Sequence, residues 1–132
     1  MRIVTKRGDK GMTGNLKGDR IPKNSDEIEF VGALDELQSF LGILESTHEI
    51  QEIQYDIYNI MGFNNVEVSK IDGYILKLDI PIINKFIIPT GWIHVCRAVA
   101  RRAERRAVGI SPNAVQYLNR LSDYLYILSF NK

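Results

Sequence analysis

Five arginines crowd the stretch RAVARRAERR, Arg97 to Arg106, in a chain whose formal net charge is only +1. Residues four apart are neighbours on a helix, so Arg97, Arg101 and Arg105 line up, with Glu104 close to Arg101. Like charges at that spacing repel. One reading is a solvated face with scattered ion pairs. A second is an anion site, because guanidinium forks match phosphate oxygens two at a time. A third is a nucleic-acid contact, which the near-zero net charge weighs against.

The N-terminus offers a second element of the same kind. Gly8, Gly11, Gly14 and Gly18 alternate with Thr5, Lys6, Lys10, Thr13 and Lys17, a composition that cannot hold a helix and exposes backbone amides. Such a loop can present several N–H groups to a polyphosphate. Yet TKRGDKGMT lacks Walker A spacing and follows no strand, so it is not a P-loop, and taken alone it reads equally as a mobile terminus. Asn119, Ser122, Asp123 and Tyr126 form a polar side near the C-terminus, and Asp35 and Glu36 sit where an apolar stripe meets a polar one. His48 and His94 are too few and too far apart to suggest a metal site. No nucleophile–base–acid set can be assembled.

The elements that position these residues follow from periodicity. Pro22 closes the loop, Asn24, Ser25 and Asp26 offer N-cap oxygens, and Ile28, Val31, Leu34, Leu37, Leu41 and Leu44 mark an amphipathic helix over 26–46. Ser46 with Glu49 reads as a capping box for a second helix, carried by Ile50, Ile53, Ile57 and Ile60 up to Gly62. Ser69 with Asp72 opens a third, with Ile71, Ile75 and Leu78 on one face, ended by Pro81. Residues 80–89, bracketed by prolines, read as an extended buried connector. Trp92, Cys96, Val99, Ala103 and Ala107 form the inner stripe of a fourth helix over 92–108 that carries the arginines on its flanks. Ser111 as N-cap with Pro112 at the first helical position starts a fifth, packed through Val115, Leu118, Leu121, Leu125 and Leu128. The expected fold is all-α, an up-down five-helix bundle.

Size and composition agree. The 132 residues suit a single domain, 1–132, with 45% apolar and 25% charged residues as in ordinary globular chains. Residues 1–24 would be the glycine-rich loop and 25–132 the bundle. Lone Cys96 allows no internal disulfide, the start is not signal-like, and no apolar run reaches the roughly 20 residues that span a bilayer. A reducing, cytoplasmic home without membrane or nucleic-acid partners is the expectation.

Five segments together, TKRGDKGMT, VGALDELQSFLG, FIIPTG, HVCRAVARRAERR and YLNRLSDYLYIL, resemble in sequence and order the PduO-type ATP:cob(I)alamin adenosyltransferases across nearly the whole chain. The resemblance implies a homotrimer with ATP and Mg²⁺ bound between subunits and no resident metal ion. It assigns nucleotide contacts to Thr5, Lys6, Arg7, Gly8, Thr13, Gly14 and Lys23, to Arg101, Arg102, Glu104 and Arg105, and to Asn119. It implies an ion pair across the subunit boundary between Asp35 and Arg97, and it sets Phe86 against the corrinoid, where it helps to exclude the lower axial ligand of cobalt. Asp35, Arg97 and Arg101 would serve catalysis, and a corrinoid reductase would be a partner. In that chemistry Co(I) attacks C5′ of the ribose and expels triphosphate, so no protein nucleophile is needed. Three departures stand out. Only Trp92 and Ile93 separate FIIPTG from HVCR where the family carries several more residues, Thr90 replaces a glycine, and Gln38 follows the DEL segment in place of asparagine. The segment 63–79 is also short. The alternative that these departures raise is an ATP-binding sensor of the same fold without adenosyl transfer.

Overall fold

The computed structural model describes residues 2–15 and 17–131. Met1 and Lys132, the limits of the expected domain, and Leu16, inside the expected loop, lie outside the described residues. The chain runs β1 (Met12–Gly14), β2 (Arg20–Pro22), α1 (Asp26–Leu41), α2 (His48–Met61), α3 (Ser69–Leu76), α4 (Trp92–Ala107) and α5 (Pro112–Leu128). The five expected helices are present. Strands β1 and β2 form a small antiparallel hairpin with Thr13 opposite Ile21, so the fold is mostly helical and not purely so.

Helix α4 lies between α1 and α5, and its inward face explains why. Cys96, Ala100, Ala103 and Ala107 are small and fully buried, which lets two neighbours approach closely and bring Phe30, Leu34, Leu37 and Leu41 from one side and Tyr117, Leu118, Leu121 and Leu125 from the other. Each such Leu or Phe, taken from water, stabilises the fold by about 1.5–3 kcal/mol. The helices are antiparallel: Phe40 stacks on Trp92 at 6.0 Å, Glu36 pairs with Arg102, and Arg106 lies 3.9 Å from Glu29. Helices α2 and α3 close the other side through one buried acid. Asp56 is 4% exposed and accepts from Lys70 Nζ at 2.9 Å and from the Tyr117 hydroxyl at 3.0 Å. The hydrogen bond that Lys70 donates to Asp56 raises the Lys70 pKa, and burial pushes the Tyr117 hydroxyl far up.

Two asparagines of the C-terminal region fasten the backbone on either side of α3. Asn113 donates to the Val66 carbonyl and accepts from its amide, at 2.9 and 2.8 Å. Asn131 does the same for Asp79, at 2.9 Å in both directions. The second clasp fixes the point where the chain leaves α3 for the segment 80–91.

Several boundaries depart from the periodic pattern. Helix α1 stops at Leu41 because Gly42 follows, and residues 42–44 close in turns. Thr47, not Ser46, caps α2, its hydroxyl accepting from the Ile50 amide. Helix α3 starts without a side-chain cap, Ser69 being its first residue and bonding Glu67 instead, and it ends at Leu76, ahead of Pro81. Ser122, expected on the polar side, is buried and donates back to the Asn119 carbonyl at 2.7 Å. Ser25, Ser111 and Pro112 take the positions their types imply.

The largest correction concerns residues 80–89. They form neither helix nor strand and bend at Lys85, and they are not a buried connector: Ile82 is 98% exposed and Phe86 84%. Trp92, expected in the core, is 54% exposed, and Ile93 is buried in its place. Gly91 makes this possible, since it starts α4 at φ 86° and ψ 168°, a backbone that is essentially glycine's own and costs a side-chain-bearing residue about 1–3 kcal/mol.

Candidate functional site

The N-terminal loop is ordered by its own backbone. The Lys23 amide donates to the Gly11 carbonyl at 2.7 Å, the Arg20 guanidinium to the Arg7 carbonyl at 3.0 Å, and the Arg7 amide to Thr5 Oγ1 at 3.4 Å. The end of the Lys23 side chain rests against Gly8, where an added Cβ would meet Nζ at 2.9 Å. Arg7, Gly8 and Lys23 are thus drawn together, with Thr13 and Gly14 on the adjoining strand and Thr5 and Lys6 exposed beside them. Lys6 has φ 61°, a left-handed backbone uncommon outside glycine.

The arginines of α4 divide by partner. Arg102 and Arg106 face the α1 acids Glu36 and Glu29 across a groove of 420 Å³. The Arg97 guanidinium lies over the Tyr126 ring, 5.0 Å from its centroid, and Tyr126 also meets His94 and Phe130 edge-on. Among the described residues no hydrogen bond or ion pair engages Arg101 or Arg105, and both are exposed. Those two are free to receive an anion, and Glu104, half-buried, forms no ion pair with Arg101 among the described residues. Antiparallel packing that sets Arg97 against Tyr126 brings exposed Asn119, two turns earlier on α5, about level with the Arg101–Arg105 turn.

Helix polarity then arranges the candidates along the bundle. The hairpin and Arg106 both attach to the first turn of α1, through Glu27 and Glu29, so the loop and the end of the arginine row share one end. Trp92, in the first turn of α4, stacks on Phe40 at the other end, where Gly91 joins α4 to the segment carrying Phe86. Between them the row Arg97–Arg105 covers about 12 Å of helix, at about 1.5 Å per residue. A depression of 570 Å³ on α4 runs the same way, from Pro89 and Thr90 past His94 to Arg105. Asp35 is exposed on α1 and does not pair with Arg97 within one chain.

A family model described as cobalamin adenosyltransferase matches residues 3–131. The chain belongs to the cobalamin adenosyltransferase family. It is 33% identical to a cobalamin adenosyltransferase of Cupriavidus metallidurans, over 97% of this chain and 86% of that one. Against a corrinoid adenosyltransferase of Bacillus subtilis it is 34% identical, over 96% and 83%. Among solved structures it resembles a variant PduO-type ATP:corrinoid adenosyltransferase from Lactobacillus reuteri complexed with cobalamin and ATP. The TM-score is 0.79 and the identity 27%, covering 97% of this chain and 89% of that one. The alignment to the C. metallidurans relative spans 158 positions, more than the 132 residues here, so that relative carries residues this adenosyltransferase-family chain lacks.

Sequence reasoning missed several partners. Tyr126 was legible only as a polar-side residue, although a tyrosine close to the arginine helix is a usual seat for guanidinium. Glu29 and Glu36, spaced to face α4, were the signal that Arg102 and Arg106 have counter-charges. Asn15, whose side chain organises the turn between β1 and β2, gave no signal beyond its turn-forming type.

Proposed function

We propose that the protein transfers the 5′-deoxyadenosyl group of ATP to the cobalt of a reduced corrinoid, giving adenosylcobalamin and triphosphate. The observation that carries this reading is the match to the cobalamin adenosyltransferase family from residue 3 to residue 131, joined by likeness to a structure that holds both cobalamin and ATP. In the reaction the Co–C5′ bond forms as the C5′–O bond breaks, and triphosphate departs with the electron pair. The protein's task is therefore positioning and charge stabilisation of the leaving group.

In this reading Arg101 and Arg105 hold the triphosphate from α4, joined by Arg102, Glu104 and Asn119. Thr5, Lys6, Arg7, Gly8, Thr13, Gly14 and Lys23 close over it from the loop. What supports the division is that Arg101 and Arg105 are exposed and unengaged, while the loop already gathers Arg7, Gly8 and Lys23. Mg²⁺ enters on the triphosphate; among the described residues no cluster of three or more His, Cys, Asp or Glu could hold a metal by itself. Phe86 faces the corrinoid, and its exposed ring is available for that contact. Three copies assemble with sites at their boundaries, where Asp35 of one copy meets Arg97 of the next. The unit 1–132 acts as one domain in a reducing cytoplasm, with a corrinoid reductase supplying the electron to Co(II).

The test is direct. Purified protein with ATP, Mg²⁺ and chemically reduced cob(I)alamin should give adenosylcobalamin and triphosphate in equal amounts. Absence of product at any protein concentration, or release of diphosphate or phosphate as the first product, would contradict the reading.

A further inference from the structure

The bundle leaves a cavity of 480 Å³ where α1, α3 and α5 end and α2 begins. None of its walls belongs to α4, to residues 80–91 or to the N-terminal loop, so it is separate from every candidate nucleotide and corrinoid residue. Small-molecule sites span roughly 300–1,000 Å³, so the space suits one small organic molecule. Leu44, Ile50, Leu78 and Leu128 give it apolar walls, Ile50 buried and the other three half-buried.

Two tyrosines complete the lining. Tyr74 and Tyr124 meet there with ring centroids 6.0 Å apart and planes tilted by 55°. Tyr124 is 3% exposed, yet among the described residues no hydrogen bond engages its hydroxyl. Tyr117, two turns earlier on the same helix, shows what a buried phenol ordinarily has, a carboxylate acceptor in Asp56 at 3.0 Å. The cavity is the space in which the Tyr124 hydroxyl can find a partner. Burial, and then the charges of Glu49 and Tyr74, push its pKa up to about 12, so it stays a neutral hydroxyl that can accept as well as donate.

Charge around the cavity is one-sided. Glu45 follows α1, and half-buried Glu49 lies in the first turn of α2. Three helix C-termini meet here, each with partial negative charge on its last carbonyls, and none of α1, α3 and α5 has a basic residue in its last turn. Against them stand the start of α2 and the exposed Lys77. An anion would meet repulsion, and a neutral molecule would leave the carboxylates unanswered. We propose that this cavity binds a small organic cation, a primary ammonium on an apolar body, with its N–H groups on Glu49 and the Tyr124 hydroxyl and its body against Leu44, Leu78 and Leu128. The faces of Tyr74 and Tyr124 add a cation–π attraction to the pull of the carboxylates. An ammonium has three donors and no acceptor, which matches a lining of acids and phenol oxygens.

The experiment titrates the full chain with phenethylammonium and follows binding by calorimetry and by NMR shifts. Phenethylammonium should saturate one site with a Kd of about 1 mM or tighter, within reach of a ligand of that size. Phenethyl alcohol and phenylacetate, its neutral and anionic counterparts, should bind at least about fivefold more weakly. Glu49→Gln should weaken phenethylammonium about fivefold and leave phenethyl alcohol within about twofold. Tyr124→Phe should weaken phenethylammonium about threefold or more through the lost hydroxyl. Both substitutions keep the shape of the side chain, and thermal unfolding checks that each variant keeps the fold. Adenosyl transfer should not change in either, because neither residue belongs to the candidate site, and the outcome is independent of the adenosyl-transfer reading. No saturable binding, equal or tighter binding of the alcohol or the carboxylate, or unchanged affinity in either folded variant overturns the proposal.

Discussion

At one end of the bundle, residues 5–23 fold upon themselves through a two-stranded hairpin, the Lys23 to Gly11 hydrogen bond and the Arg20 to Arg7 hydrogen bond. At the other end, residues 80–89 run without helix or strand, with Ile82, Phe86 and Ile88 in solvent, and among the described residues they make no backbone hydrogen bond to another segment. The first segment is polar and glycine-rich yet internally satisfied. The second is apolar and leaves its side chains without a core. A self-bonded polar loop suits a ligand that brings charge, because its amides and lysines are already gathered. An exposed apolar segment rooted by the Asn131 clasp suits a large flat apolar surface, whether a corrinoid ring or a neighbouring copy. The row Arg97–Arg105 connects the two.

Four measurements break or sharpen that contrast. Arg101→Ala should have the largest effect, since removing one donor that stabilises a leaving group costs about 10²–10³ in turnover, roughly 3–4 kcal/mol. Steady-state kinetics in ATP would read it, and a variant within a few-fold of wild type would take the arginine row out of the nucleotide site. Phe86→Ala tests the opposite end. It should leave the KM for ATP within about twofold and lower adenosylation started from Co(II)alamin about tenfold or more, while thermal stability changes little because the ring is largely exposed. Equal losses for ATP and corrinoid would merge the two ends into one site.

Gly91→Ala strains the root of the apolar segment. At φ 86° and ψ 168° an added Cβ finds open space, so the cost is backbone strain alone, about 1–3 kcal/mol in denaturant unfolding. The KM for corrinoid should rise while that for ATP holds. The smallest effect is on pH. Burial raises the Tyr117 hydroxyl and pushes Tyr124 up to about 12, so both stay neutral in the folded protein after the unfolded chain has begun to ionise near pH 10. Their contribution is complete below that pH and shrinks as pH rises through the folded values. Going from pH 8 to pH 10 should lower unfolding free energy by roughly half a kcal/mol per tyrosine. Tyr117→Phe should flatten that slope. Kinetics of both ends compared below pH 9 therefore avoid this tyrosine-linked loss of stability.

Much of the fold was legible because periodic apolar spacing forces it. Leu34, Leu37 and Leu41, or Leu118, Leu121 and Leu125, have one way to be buried together, and Ser25, Ser111 and Pro112 have one use at helix starts. Residues 80–89 were misjudged because an apolar β-branched run implies burial only if something in the same chain covers it. Trp92 failed for a related reason: the helical phase was right to within one residue, but Gly91 sets the helix start so that Ile93 points inward. Arg97, Arg101 and Arg105 were placed on one row by spacing alone. Sorting all five arginines of α4 into engaged (Arg97, Arg102, Arg106) and unengaged (Arg101, Arg105) needed Glu29, Glu36 and Tyr126, which come from other helices. The hairpin was hidden because glycine-rich sequence announces turns and says little about pairing across them.

The central claim is that the loop and the arginine row hold one triphosphate between them. A structure with ATP and Mg²⁺ bound tests it most directly. The account expects the triphosphate to lie between residues 5–23 and the Arg101 and Arg105 guanidinium groups, with C5′ of the ribose turned toward the Phe86 end. A triphosphate bound away from Arg101, or a loop that stays clear of it, would contradict the account.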